Sequence, residues 1–215
     1  MRESMTHPRF ASGWDFVNIS VILGHPRRGS FNRALAASVV DTARACCHEV
    51  QLHDPQAEGF DPVLPADEES AGVAVPALIE LRCREIVEAD EIVIVHPNWW
   101  GMPPAVLTGW IDRVLRPGVA YRFAEGDSGE GTPFGLLRAR TALVLNTSNT
   151  LPDREARVFG DPLERIWKEC IFGLCGVACV ERRTFGLMVT STLAERQAWL
   201  EEAREMIERH RLREM

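Results

Sequence analysis

The stretch Gly24-His25-Pro26-Arg27-Arg28-Gly29-Ser30-Phe31-Asn32 sets two glycines five positions apart ahead of a serine. That is the frame of a loop that cradles phosphate, because open amide N–H groups and the helix dipole attract an anion at a helix N-terminus. Ser30 and Asn32 can add side-chain hydrogen bonds, and His25, Arg27 and Arg28 put positive or hydrogen-bonding character beside them. A nucleoside-triphosphate site needs a lysine where Ser30 stands. The dinucleotide fingerprint G-x-G-x-x-G is absent too, although Asp54 lies about where a ribose-binding acid would. The plain alternative is a strand-to-helix turn that happens to hold Gly and Ser.

A second stretch, Pro97-Asn98-Trp99-Trp100-Gly101-Met102-Pro103-Pro104, offers different chemistry. Tryptophan presents a broad apolar face to a planar heteroaromatic ring, while main-chain N–H and C=O groups can read the ring edge. The alternative is that the two indoles plug the core or form a subunit contact. A third stretch, Asn146-Thr147-Ser148-Asn149-Thr150, is rich in small polar side chains. No Ser-His-Asp or Cys-His pattern and no metal-ligand spacing stands out. The six cysteines (Cys46, Cys47, Cys83, Cys170, Cys175, Cys179) hold no C-x-x-C pair and read as buried, reduced thiols, which suits a cytoplasmic location.

The elements that must place these stretches alternate between short apolar runs and helical patterns, the signature of a parallel sheet covered on both faces. Strands are expected at Val17–Leu23, Glu49–His53, Glu91–Val95, Thr141–Leu145 and Val177–Phe185. Helices are expected after Ser30, over Pro76–Ala89, from Pro103 and Pro104 through Leu107, Trp110 and Val114, after the capping sequence Asp161-Pro162-Leu163-Glu164 up to Gly176, and from Thr192. The segment Arg116–Phe134 is polar and glycine-rich, and reads as a surface excursion or lid. The fold class is therefore α/β: a three-layer, flavodoxin-like sandwich with a five-stranded parallel sheet of order 2-1-3-4-5. Ligands in such sheets sit beyond the carboxyl ends of the strands where the order reverses, which is where all three stretches fall. Residues 1–16 read as an extension and 17–215 as one domain. A net charge of −7 and the lack of a basic stripe argue against nucleic-acid binding. No apolar run approaches the ~18 residues of a membrane span.

Taken together, Gly24-His25-Pro26 with Ser30-Phe31-Asn32, and Pro97-x-Trp-Trp-Gly-Met-Pro-Pro-Ala105 with Gly109-Trp110-x-Asp112-Arg113-Val114, resemble the flavin-dependent NAD(P)H:quinone oxidoreductases. The similarity runs from about Val17 to His210. It implies a bound flavin, FAD by preference with FMN as the alternative, NAD(P)H as substrate, a quinone-like acceptor reduced by two electrons in alternation, and a homodimer. It also implies that His25, Ser30, Phe31 and Asn32 hold the flavin phosphate, while the main chain of Pro97, Asn98, Trp99 and Trp100 runs beside the ring. Thr147, Ser148 and Asn149 are expected to complete the cofactor site. Backbone donors along Asn98–Trp100 and around Thr147–Thr150 would stabilise the charge of reduced flavin.

The chain departs from this family at the third stretch. Relatives commonly carry Thr-Gly-Gly there; Asn149 can partly replace a glycine by adopting a left-handed conformation, Ser148 less so. Mammalian members also place a tyrosine and a histidine beyond this turn. Here Leu151 to Gly160 carries Asp153, Arg154, Glu155 and Arg157 instead, so no catalytic side chain is assigned. Asp112 and Arg113 read as a structural ion pair. Tyr121 belongs to a segment that lies near the active-site rim in relatives, and His96 can point either into the sheet or toward the ligand. Two other readings stand beside the enzyme: a regulatory flavoprotein subunit of a membrane transporter, and a flavodoxin-type electron carrier.

Overall fold

Five runs of the chain form one parallel sheet in the computed structural model, which describes residues 17–69, 72–127 and 129–210. The expected extension, 1–16, lies outside the described residues. The strands are β1 (Asn18–Leu23), β2 (Glu49–His53), β3 (Glu91–Pro97), β6 (Thr141–Thr147) and β7 (Cys179–Phe185), in the order β2-β1-β3-β6-β7. This is the 2-1-3-4-5 order expected from the sequence. A separate antiparallel pair, β4 (Tyr121–Arg122) and β5 (Phe134–Gly135), folds the polar segment after Arg116 into a hairpin.

Side chains alternate along the central strands and feed two cores. Val21, Leu23, Val93, Val95, Leu143 and Leu145 face Leu35, Val39, Ala203 and Met206, which belong to α1 (Phe31–Ala45) and α6 (Leu193–His210). Ile22, Ile92, Ile94 and Val144 face the other way, toward α2 (Ala77–Glu88), α3 (Ala105–Val114) and the buried Trp167 and Phe172. A strand apolar on both sides is stable only between two helical layers, so the continuous run in β3 dictates its central place.

The register sets what reaches the carboxyl edge. His96 lies beside Asn146, which lies beside Thr184, and one step further Pro97 lies beside Thr147 and Thr147 beside Phe185. α6 opens, where the sequence predicts, with a reciprocal cap, Thr192 Oγ1 accepting from the Glu195 amide at 3.2 Å while the Glu195 carboxylate accepts from the Thr192 amide at 2.7 Å.

Four local expectations are corrected. Pro103 and Pro104 precede α3 instead of forming its first turn; Pro104 is the extended residue before Ala105. Asp161 does not cap the following helix, α5 (Pro162–Arg165). α5 follows α4 (Pro152–Arg154) and its π turn (Glu155–Phe159), and itself continues as a π segment, Ile166–Gly173. Asp161 adopts φ 45°, ψ 66° and gives its carboxylate to Arg182. Arg113 pairs with Glu68, not Asp112: its guanidinium meets both carboxylate oxygens, at 2.7 and 3.1 Å, with both side chains buried. Asp112 is exposed. Of the six thiols only Cys83 and Cys175 are buried, whereas Cys47 and Cys170 are exposed.

Candidate functional site

The first loop begins where β1 ends. The Gly24 amide bonds the Val95 carbonyl at 2.8 Å, and a Cβ there would lie 2.8 Å from Leu107 Cδ2 and 2.9 Å from Leu107 Cβ. Only glycine lets α3 approach so closely. Ser30 is extended (φ −77°, ψ 154°), and its Oγ accepts from the Arg33 amide at 3.2 Å, so α1 starts as the sequence predicts. The amides of Phe31 and Asn32, in the first helical turn, have no acceptor within the helix. The Asn32 side chain is buried, donates to Thr147 Oγ1 at 2.8 Å, and leaves its own Oδ1 without a partner.

His25 accepts the Arg27 amide on Nδ1 at 3.0 Å, which puts the hydrogen of the neutral ring on Nε2. Burial, then Arg27 and Arg33, hold its pKa below the usual histidine range. Its ring meets the edge of Trp99 at 5.7 Å. Phe31 packs against Trp199 of α6, their ring centroids 5.9 Å apart. Asp54 is engaged by Arg33, which gives it a structural role.

The second loop is a tight turn. Trp99 and Met102 exchange backbone hydrogen bonds at 3.2 and 3.0 Å around Trp100 (φ 60°) and Gly101 (φ 74°). Two left-handed residues in a two-residue turn make it the primed type, for which glycine suits the second place and tryptophan is an uncommon first. Trp100 is 96% exposed. A bulky residue held at positive φ with its apolar face in solvent is the kind of local strain that collects at functional sites. The Asn98 amide is spent on the Thr147 carbonyl at 2.6 Å, the Trp99 amide within the turn, and the Gly101 amide on Asn98 Oδ1 at 3.0 Å. Of the expected backbone donors along Asn98–Trp100, that of Trp100 is the one left open among the described residues.

The third loop does not use a left-handed Asn149. The Asn149 side chain instead accepts the Val189 amide at 2.9 Å, and Ser148 is stitched to Phe185 and Met188 through its amide at 2.8 Å and its carbonyl at 3.0 Å. The segment after Phe185 is thus tied to the third loop. Asp153, Arg154 and Arg157 are exposed, as a solvated face. Thr147 joins all three loops, holding Asn32 by its hydroxyl and Asn98 by its carbonyl.

Beneath the loops lies a polar layer that sequence reasoning did not assign. His96 is fully buried; Trp167 Nε1 donates to its Nε2 at 2.9 Å, and its Nδ1 donates to the Pro97 carbonyl at 2.8 Å. His96 therefore points into the sheet's helical layer. Asn146 and Arg182 continue the layer. The available signal was a histidine and an arginine inside strand-like runs, with nothing local to pair them. Tyr121 lines a cavity of about 680 Å³ with Ile111, Leu115, Phe123 and Leu174, to which none of the three loops contributes.

Residues 17–210 match the model of a family described as having a flavodoxin-like fold. An uncharacterized NAD(P)H oxidoreductase of Haemophilus influenzae is 30% identical over 79% of this chain and 84% of its own length. The NAD(P)H dehydrogenase [quinone] 1 of Rattus norvegicus is 26% identical over 75% and 65%. An FMN-dependent NADH:quinone oxidoreductase of Xanthomonas axonopodis pv. citri is 32% identical over 46% and 53%. Among solved structures, the NAD(P)H:quinone oxidoreductase from Methanothermobacter marburgensis superimposes with a TM-score of 0.76, at 23% identity, over 90% of this chain and 95% of its own.

Proposed function

Because the chain belongs to the family of flavodoxin-like fold, we propose that it works as a flavin-dependent NAD(P)H:quinone oxidoreductase. The observation that carries this reading is the convergence at the carboxyl edge of the sheet. A helix start with two open amides, a buried acceptor with no donor, and a solvent-facing indole meet there through Thr147. The names of the Haemophilus, rat and Methanothermobacter relatives support the same chemistry.

The residues fit a flavin. The amides of Phe31 and Asn32, the Ser30 cap and the Nε2–H of His25 suit an anionic phosphate tail. Asn32 Oδ1, buried and unpartnered, awaits a ligand hydroxyl or N–H. Trp100 offers a flat apolar face to the ring, and its open amide a donor at the ring edge. A bound flavin supplies the hydride-carrying chemistry between nicotinamide and quinone; the protein supplies position, a donor for developing negative charge, and shelter from water. No side-chain nucleophile is needed.

FMN is the flavin we favour. The preference for FAD drawn from the sequence finds no support among the relatives compared, whereas the Xanthomonas protein is named for FMN. A homodimer fits the exposed Trp100, Met102, Leu151, Val158 and Phe159, apolar groups that a second copy would cover. No helix among the described residues is long and apolar enough to cross a membrane; a cytoplasmic site of action and one domain over 17–215 complete the reading.

Mass spectrometry of cofactor released from the purified protein, followed by stopped-flow reduction with NADH and NADPH and reoxidation by menadione, tests it. FMN at near-unit occupancy with turnover supports it. A colourless protein that takes up neither FMN nor FAD overturns it. Trp100→Ala and His25→Ala should each loosen the flavin while the flavin-free protein still unfolds cooperatively. Unchanged retention in both would remove the site assignment.

A further inference from the structure

Arg182, on β7, has a side chain only 8% exposed and turns every bond inward. Nε meets Glu164 at 2.8 Å; Nη1 meets Asn146 Oδ1 at 3.2 Å and Thr184 Oγ1 at 2.9 Å; Nη2 holds the Asp161 carboxylate. A buried guanidinium is tolerable only when paired and hydrogen-bonded throughout, and Asp161 and Glu164 supply that pairing.

Two routes lead from this group to the tryptophan turn. Along the first, Asp161 is bent into the left-handed region (φ 45°, ψ 66°), and the bend delivers Pro162 onto the turn: a Cβ on Gly101 would lie 2.6 Å from Pro162 Cγ. Local backbone bonds hold the bend from both sides, the Asp161 amide on the Glu155 carbonyl and the Glu164 amide on the Asp161 carbonyl, each at 3.1 Å, while the side chain makes no cap to its own helix. Its carboxylate is instead held from across the sheet. Along the second, Asn146 donates to His96 Nε2 at 2.8 Å, and His96 Nδ1 fixes the Pro97 carbonyl at 2.8 Å, one residue before Asn98.

We infer that Arg182 is a positioning residue: through Asp161–Pro162 and through Asn146–His96 it holds the Pro97–Met102 turn, and so Trp99 and Trp100, in the pose that receives the ligand. The brace stands on the geometry alone; what the braced turn binds rests on the function proposed above. Side chains preset in this way spare a binding site the ordering cost that a loose loop would incur on meeting its ligand.

The test separates the two. In flavin-free protein, hydrogen exchange is followed at the amides of Trp99, Gly101 and Met102, all hydrogen-bonded within the turn. Arg182→Gln and Pro162→Ala should each speed exchange there about tenfold, equivalent to ~1.4 kcal/mol, over and above any change at the amides of β1, which open only with global unfolding. FMN titration of the same proteins should show affinity weakened by a similar factor. Because Pro162 lies downstream of Arg182 on the first route, the double variant should be no worse than Arg182→Gln alone. Arg182→Lys, which keeps the charge but not the fork, should recover part of the loss, and Lys168→Gln, on the exposed side of Glu164, should change neither measurement. Pro162→Ala leaves the buried charges intact and decides the matter if Arg182→Gln does not fold. Unchanged exchange in the turn overturns the inference. Faster exchange in a protein whose wild type binds no flavin upholds the brace and removes the flavin reading instead.

Discussion

Acid should weaken the flavin-free protein well above the carboxylate range, through two imidazoles. His96 is fully buried, and Trp167 and Asn146 both aim N–H groups at its Nε2, at 2.9 and 2.8 Å. An indole N–H can only donate, so Nε2 must carry a lone pair and the ring must be neutral. Burial above all, with Arg182 nearby, holds its pKa down at about 4 despite the favourable Pro97 carbonyl. His53, buried against Trp110 with Ser20 Oγ at 3.1 Å, is held by burial and by Arg82 at about 3. Glu85 lies 3.8 Å from His53, but its carboxylate is taken by Arg82 at 2.6 Å and does not charge the ring.

Both folded values lie below the ~6.5 of an unfolded histidine. Between them the unfolded chain binds more protons, so stability is complete above about pH 6.5 and falls as the pH drops toward 4. Integrating that linkage from pH 7 to pH 5 gives a loss of about 2 kcal/mol for each ring, roughly 4 together. That is a large part of an ordinary domain's ~5–15 kcal/mol. Urea unfolding followed by tryptophan fluorescence at pH 7, 6 and 5 measures it, and His53→Gln should about halve the difference. Equal stability at pH 7 and 5, or a buried imidazole titrating near 6.5 by NMR, would refute the reasoning.

Gly24→Ala should drive a methyl group into Leu107 and cost about 1–3 kcal/mol, as overpacking does, read as a lower urea midpoint with an unchanged slope; a neutral result would mean that α3 can shift freely. Glu68→Gln strips the buried Arg113 of its carboxylate and should cost ~3–5 kcal/mol. A loss below 1 kcal/mol would show that the Asp61 carbonyl at 2.7 Å and water suffice for that charge.

What was legible in the sequence was what neighbours along the chain decide. The runs around Val21, Val93 and Leu143 are apolar on both sides of a strand, so sheet, layers and order follow from local pattern and the connection rules. Ser30 and Thr192 cap helices because their partners are three residues away. By the same rule Asp161 reads as a cap, yet a guanidinium 21 residues on takes its carboxylate, and no local pattern carries that competition. Arg113 likewise finds Glu68 across 45 residues in place of Asp112 next door. His96 had no readable direction because both faces of β3 are buried, and alternation gives a side only when one face is wet. At the site, the motifs placed His25, Ser30, Asn32, Trp99, Trp100 and Thr147 on converging loops. The packing of Phe31 on Trp199 and the support lent by Val189 to Asn149 depend on α6 and the segment before it.

Thr147 gives its hydroxyl to one neighbouring loop and its carbonyl to the other, so the walls of the crevice form a single knot. Anyone transplanting one of these loops from a cousin would have to carry this threonine and the asparagine it grips along with it. Exchanged singly, the segments would arrive in a crevice tied for someone else's contours.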